Sequence, residues 1–173
     1  MPYKRLFVWL EGDDDERFFV SIIKPKLLNS YDHVDIIKYA KQKNRYIRQF
    51  LTSIKSMKGE YIFISDFNES ACITQRKERI AARYDFLDKD KIHIVVKEIE
   101  GWYIAGLDKN ASKTLGIKNM VNTDGISKEQ FYALMPRGFV KVDFMKEILK
   151  MYTIDAAKRK NRSFEYFFSK YIN

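Results

Sequence analysis

The chain has 173 residues, 46% of them apolar, which suits one folded domain with a small appendage and excludes global disorder. It carries 32 basic and 23 acidic side chains, and the net charge of +9 favours an anionic partner such as nucleic acid. Its single cysteine, Cys72, excludes an internal disulfide, and with only 2 histidines a Cys/His zinc site cannot be assembled, so a reducing cytoplasm is the expected location.

Four short apolar runs predict β-strands. The first run, residues 6–10, is apolar at every position and is bounded by Glu11 and Gly12, so we expect it to be buried on both faces. The predicted strands cover residues 6–10, 34–39, 61–65 and 92–96.

Helical spacing of apolar residues separates these strands. The first helix begins in the acidic run 13–16, whose carboxylates complement the helix dipole, and Pro25 is expected to kink or end it early. Further helices are predicted over residues 46–57, 70–84 and 99–107. Residues 108–127 show little periodicity and are expected to be irregular, whereas the remainder carries two helical apolar stripes.

Alternating strands and helices predict an α/β fold. We expect a mostly parallel four-stranded sheet flanked by helices, with right-handed crossovers and a helical C-terminal extension. The predicted organisation is an α/β domain over residues 1–107, followed by residues 108–173, an irregular segment and helices packed on the same core.

Carboxylates follow three of the four predicted strands. Glu11 follows the first, Asp66 the third, and Glu98 and Glu100 the fourth. Because the carboxyl ends of parallel strands share one edge of a sheet, these side chains are expected to converge there. Clustered negative charges need a cation, and oxygen ligands suit Mg²⁺ or Mn²⁺. The alternative is that each acid lies in a solvated loop without a ligand.

Three segments resemble the motifs of a known family. Residues 6–12, followed by an acidic helix start and Phe18-Phe19, resemble the first motif of TOPRIM domains, the catalytic domains of topoisomerases, primases and OLD-type nucleases. Residues 61–68 resemble the strand that bears the family's Asp-x-Asp motif. Residues 97–105 are similar to the Glu-x-Glu-x-Trp stretch of small stand-alone TOPRIM-like proteins, a group that includes the DUF4276 family and RloB-like proteins.

The resemblance implies roles for individual residues. Glu11 takes the place of the family's general acid/base, and Asp66 takes that of the first metal-binding aspartate. The second aspartate is replaced by Asn68, whose amide oxygen ligates a hard cation but adds no charge. Asp66 and Asn68, together with Glu98 or Glu100, are the expected ligands of Mg²⁺ or Mn²⁺, and Glu69 or Glu100 is expected to supply the missing carboxylate. Because Asn68 replaces an aspartate of the family motif, the alternative is a degenerate site without catalytic activity.

A basic segment is the candidate nucleic-acid surface. Between residues 38 and 59 there are seven basic residues and no acid, with tyrosines interleaved. Such a surface tracks phosphates while aromatic rings stack on exposed bases. The alternative is an ordinary solvated helix face. The residues assigned to nucleic-acid binding are Lys41, Lys43, Arg45, Arg48 and Lys55.

These features predict a metal-dependent phosphoryl-transfer enzyme, foremost a nuclease acting on DNA or RNA. The resemblance implies a role in phage defence or DNA repair, beside a partner ATPase. The sequence contains neither Gly-x-Gly-x-x-Gly nor Gly-x-x-x-x-Gly-Lys, the two glycine motifs that bind phosphate, so ATP hydrolysis by this chain is disfavoured. No apolar run is long enough to cross a membrane. Two alternatives remain: a non-catalytic module that binds nucleic acid or a partner, and an enzyme acting on a small phosphorylated metabolite.

Overall fold

Four β-strands follow the four apolar runs. The structure, a computed structural model, describes residues 3–67 and 70–172, and the chain divides into two compact units between residues 94 and 95. The strands are β1 (Arg5–Leu10), β2 (His33–Lys38), β3 (Glu60–Asp66) and β4 (Ile92–Val95). They form one sheet in the order β2-β1-β3-β4, in which β1 pairs parallel with both β2 and β3. The predicted α/β class and four-stranded parallel sheet are confirmed.

The central strands are buried on both faces. Every residue of β1 after Arg5 and every residue of β3 after Glu60 is buried, which explains why these runs are apolar without alternation. Trp9 of β1 lies opposite Ile37 of β2 and Phe63 of β3.

Helices of the first unit cover the sheet. They are α1 (Asp13–Phe18), α2 (Lys24–Leu27), α3 (Asn44–Ser56) and α4 (Ile73–Arg83), with a 3₁₀ turn at Lys89–Lys91. The apolar stripe of α3 buries Ile47, Leu51 and Ile54 against the same core as Trp9 and Phe63.

The sequence predicts that Pro25 kinks or ends the first helix, and in the structure Pro25 lies in the first turn of α2, which ends two residues later at Leu27. A π-helical turn, Phe19–Ile23, joins α1 to α2, and the N–H of Lys24 donates to the carbonyl of Phe19, five residues earlier. A proline crowds the carbonyl of the preceding turn and donates no hydrogen bond to it. The wider π turn provides the space that Pro25 needs, so the helix continues to Leu27.

The second unit is helical. Its helices are α5 (Ile99–Ala105), α6 (Lys109–Leu115), α7 (Lys128–Leu134), α8 (Lys141–Lys150), α9 (Ile154–Lys160) and α10 (Arg162–Tyr171). Residues 108–127, which we expected to be irregular, thus contain α6. The Asp108 carboxylate caps this short helix by accepting from the N–H of Ala111 at 2.8 Å, and Gly116 ends it in the left-handed region at φ 72°.

Trp102 anchors the core of this second unit. Its Nε1 donates to Ser163 Oγ at 2.7 Å, and its ring packs edge-on against Phe164 at 5.2 Å. Tyr152 donates to the Trp102 carbonyl at 2.9 Å and lies so close to Gly106 that a Cβ there would be 2.1 Å from its ring. None of the helices within residues 3–67 and 70–172 combines the length and apolarity that crossing a bilayer requires. The predicted domain boundary after residue 107 stays a prediction.

Candidate active site

Glu11 and Asp66 lie at the same edge of the sheet. β1 ends at Leu10, directly before Glu11, and β3 ends at Asp66. The two strands are parallel, with Trp9 opposite Phe63, so both carboxyl ends point to one edge. Each acid is positioned by a strand buried in the core, which gives a rigid platform for a site.

The buried Tyr39 phenol lies in the field of these acids. Its ring stacks on Phe63 at 4.3 Å, and its hydroxyl donates to the Ile64 carbonyl at 2.8 Å. Burial raises the pKa of Tyr39 far above its ordinary value, and the charge of Glu11 raises it further. The charges of Asp15 and Asp66 act in the same direction. Carboxylates from two stretches of chain, residues 11–15 and the end of β3, therefore act on one phenol.

Glu11 opens into a small cleft lined by arginines. The cleft has a volume of about 170 Å³. Its charged lining consists of Glu11 and three guanidinium groups from α4, and the remaining walls are aromatic, aliphatic or hydroxyl-bearing. The arginines are Arg76, Arg79 and Arg83. An anion entering this cleft would meet several cations and one carboxylate.

The acidic run after Gly12 forms the first turn of α1, as the sequence predicts. Asp15 accepts from the Gly12 N–H at 3.1 Å and so caps the helix that it belongs to. Lys38 Nζ joins Asp13 at 2.8 Å and Glu16 at 2.7 Å. These contacts tie the start of α1 to the end of β2.

Glu98 and Glu100 both belong to the second unit, where each has a protein partner. Glu98 accepts from the backbone N–H of Lys128, the first residue of α7. Glu100 is fully buried, and its Oε1 accepts from Lys141 Nζ at 2.7 Å. Its Oε2 is also buried and has no hydrogen-bond partner among the described residues. A buried carboxylate oxygen without a donor suits a bound cation or water.

Carboxylate oxygens are the ligands that a hard divalent cation prefers. Mg²⁺ commonly binds through one or two carboxylates and keeps several waters, and Asp66 at the end of β3 offers one such ligand. Asn68 lies outside the described residues. Within residues 3–67 and 70–172, no three Asp, Glu, His or Cys side chains form a cluster that could hold a metal ion. The metal-ligand assignment to Asp66, Asn68, Glu98 and Glu100 stays a prediction.

The structure divides the candidate nucleic-acid surface into two groups. Arg48 pairs with Asp85 and lies 4.9 Å over the Phe86 ring, and Lys55 donates to the Phe86 carbonyl at 3.0 Å. These two cations hold the segment after α4 against α3. The other three assigned residues are exposed and form no ion pair with a described residue; they are Lys41, Lys43 and Arg45.

The arginines of α4 were missed at the level of sequence. They lie at positions i, i+3 and i+7, which places them on one face of a helix. That spacing is visible in the sequence, which predicts a helix over these residues but no ligand for its basic face. Nothing in the sequence of α4 by itself places this face beside Glu11.

Comparisons with known proteins give a distant likeness to a solved structure. Neither the protein-family models nor the curated proteins match this sequence. Among solved structures, the fold is similar to the C-terminal region of the Burkholderia pseudomallei OLD protein, with a TM-score of 0.46 and 14% sequence identity over 98% of this chain and 99% of that one. So weak a likeness does not transfer the activity of that protein. Membership of the DUF4276 or RloB-like groups stays a prediction.

Proposed function

We propose that this protein is a metal-dependent nuclease that hydrolyses phosphodiester bonds in DNA or RNA. The observation that carries the proposal is the convergence of Glu11 and Asp66 at one sheet edge, where both charges act on Tyr39. Acids gathered from separate strands are an arrangement typical of sites that hold a cation and transfer protons.

Glu11 is the proposed general acid/base. It lines the cleft, so its carboxylate reaches a ligand bound there and can give or take a proton at the attacking or leaving oxygen. Asp66, with Asn68, would hold Mg²⁺ or Mn²⁺. The bound ion supplies electrostatic stabilisation of the charge that develops on the phosphoryl group.

A second candidate is a binding module without catalytic activity. It is favoured by the cleft itself, because three guanidinium groups attract a phosphate without help from a metal ion. The amide of Asn68 in place of a carboxylate favours it too. In this case the acids at the strand ends would be a remnant of a catalytic site.

A cleavage assay separates the two. End-labelled single-stranded DNA, duplex DNA and RNA are incubated with the protein in Mg²⁺, in Mn²⁺ or in EDTA. The variants are Glu11→Gln, Asp66→Asn and, as a matched control, Glu78→Gln, which neutralises an exposed acid of α4 outside the cleft. Thermal unfolding of each variant shows whether the fold is retained.

The nuclease proposal expects cleavage by the wild type in Mg²⁺ or Mn²⁺ and none in EDTA. Glu11→Gln should lose about 100-fold or more of the rate while retaining binding, since a general acid/base contributes that much. Glu78→Gln should cleave like the wild type. Full activity of Glu11→Gln, or cleavage in EDTA, would contradict the proposal. Binding of nucleic acid without cleavage under every condition would favour the binding module.

A further inference from the structure

Helix α4 presents a basic face that the packing of the fold does not explain. Ile80 is the only buried residue of α4, all of whose residues the structure describes. Arg76, Arg79 and Arg83 follow one another along one side. A helix so weakly anchored by apolar contacts would be better stabilised by more apolar residues, so the arginine row points to a function.

The three guanidinium groups are held in different ways. Arg76 is fixed, because its Nε donates to the Asp66 carbonyl and its Nη2 to Ser65 Oγ, each at 2.9 Å. Arg83 lies 5.3 Å over the ring of its neighbour Tyr84. Arg79 is exposed between them, and neither Arg79 nor Arg83 forms an ion pair with any residue in 3–67 or 70–172. The guanidinium groups of Arg79 and Arg83 are therefore available to a ligand, beside that of Arg76, which is already fixed.

The dimensions of the cleft limit what it can hold. Pockets for drug-sized ligands measure about 300–1,000 Å³, and this cleft, at about 170 Å³, is smaller. It suits one phosphate group rather than a whole nucleotide. Arginine binds phosphate through paired N–H donors, so a row of three matches the oxygens of a single phosphate.

Exposed cations lead away from the cleft. Tyr39 lines it, and the N–H of the next residue, Ala40, donates to the Glu11 carbonyl at 3.3 Å. Lys41, Lys43 and Arg45 follow directly along the chain and are all exposed. A polyanion with one phosphate in the cleft would meet these charges as it continues, whereas a free phosphate ion would not use them.

We propose that Arg76, Arg79 and Arg83 form a phosphate seat that takes one backbone phosphate of a nucleic-acid strand and places it beside Glu11. The inference deepens the proposed nuclease function, on which it rests for the meaning of Glu11. The seat itself works without a metal ion, so its binding is measurable separately from cleavage.

The test is fluorescence anisotropy in EDTA with a 3′-labelled oligothymidylate. Unlabelled oligothymidylate, thymidine 5′-monophosphate and orthophosphate are used as competitors. The test variant is Arg79→Ala/Arg83→Ala, which spares Arg76 and its contacts with β3. Arg79→Lys/Arg83→Lys keeps the charge but removes the planar donors. The control, Lys26→Ala/Lys89→Ala, removes two exposed cations that do not line the cleft.

The alanine double variant should bind the oligonucleotide at least about tenfold more weakly than the wild type, since hydrogen bonds to charged groups are lost. The lysine variant should recover part of that loss, and the control should lose less than the test variant. Unchanged affinity of Arg79→Ala/Arg83→Ala would overturn the seat. Equal competition by orthophosphate or the mononucleotide would overturn the assignment to a strand.

Different results would refute the phosphate seat and the nuclease proposal. If the wild type cleaves DNA or RNA but Arg79→Ala/Arg83→Ala keeps its affinity and KM, the seat is wrong and the nuclease stands. If the double variant loses binding while no substrate is ever cleaved, the seat stands and the nuclease is wrong.

Discussion

Arg76 Nε donates to the backbone carbonyl oxygen of Asp66 at 2.9 Å. This bond joins α4 to the end of β3, and a second one from Arg76 Nη2 to Ser65 Oγ fixes the plane of the guanidinium. The residue that ends the strand at the candidate metal site is thus held by the first arginine of the cleft. The acidic edge and the basic helix face are parts of one arrangement.

Arg76→Ala is expected to lower the free energy of unfolding by about 1–3 kcal/mol, because charge-assisted hydrogen bonds to Ser65 and to the Asp66 carbonyl are lost. Arg79→Ala removes the same side chain three residues later, where it is exposed, and should change stability by less than about 0.5 kcal/mol. Urea unfolding of both variants measures the difference. Equal stabilities would mean that Arg76 does not hold β3.

The basic surface around α3 is expected to respond in two ways to mutation. Lys41→Ala/Lys43→Ala/Arg45→Ala removes cations that face solvent, so the dependence of single-strand affinity on salt should become shallower by about 0.7 in log–log slope per lost phosphate contact. Arg48→Ala/Lys55→Ala removes cations that bind the segment after α4, and its slope should stay near that of the wild type. Binding titrations over a range of salt concentrations give both slopes. A wild-type slope in the triple variant would contradict the assignment.

Tyr39 is expected to make the protein sensitive to alkaline pH. Its folded-state pKa is raised, first by burial and then by Glu11, above the ordinary value of 10.0 that applies in the unfolded chain. The contribution of this raised pKa to the free energy of unfolding is fully present below about pH 10. It is lost as the pH rises towards the folded-state pKa, by up to about 1.4 kcal/mol per pH unit.

Tyr39→Phe removes this titration together with the hydrogen bond to Ile64, so it should be less stable than the wild type at neutral pH by about 1 kcal/mol. Above about pH 10 this gap in the free energy of unfolding between the wild type and Tyr39→Phe should narrow, because only the wild type loses the contribution of the phenol. Unfolding measured from about pH 8 to 11 follows the gap. A constant difference over that range would exclude the linkage.

Asn68→Asp is expected to strengthen binding of Mg²⁺ severalfold, since a carboxylate adds charge to the ligand set whereas an amide does not. Asn29→Asp adds the same charge at an exposed position and serves as the control. Calorimetric titration with Mg²⁺ measures both. If Asn68→Asp binds Mg²⁺ no better than the wild type and the control, position 68 does not ligate the ion.

The strands could be predicted because burial on both faces demands uninterrupted apolar residues. Every residue of β1 and β3 except the first is buried, so an apolar run such as residues 7–10 predicts a strand. The strand ends then placed Glu11 and Asp66 at one edge, which the register of β1 and β3 confirms. Because the strands are parallel, a residue that directly follows a strand in the sequence lies at the carboxyl edge of the sheet.

Other features depend on contacts that a linear pattern does not contain. Pro25 normally interrupts a helix, and only the π turn at Phe19–Ile23 lets the chain continue. The short helix α6 depends on its caps, Asp108 and Gly116, more than on an apolar stripe. The arginine row of α4 is regular in sequence, but only the folded chain brings it to the same cleft as Glu11.

A crystal soaked in Mn²⁺ shows whether carboxylates that follow separate strands bind one divalent ion. We expect an anomalous difference peak bound by the Asp66 carboxylate at the carboxyl edge of β1 and β3, beside Glu11, and its loss in Asp66→Asn crystals. A map in which Mn²⁺ occupies exposed carboxylates elsewhere but leaves the Asp66 and Glu11 edge empty would contradict it.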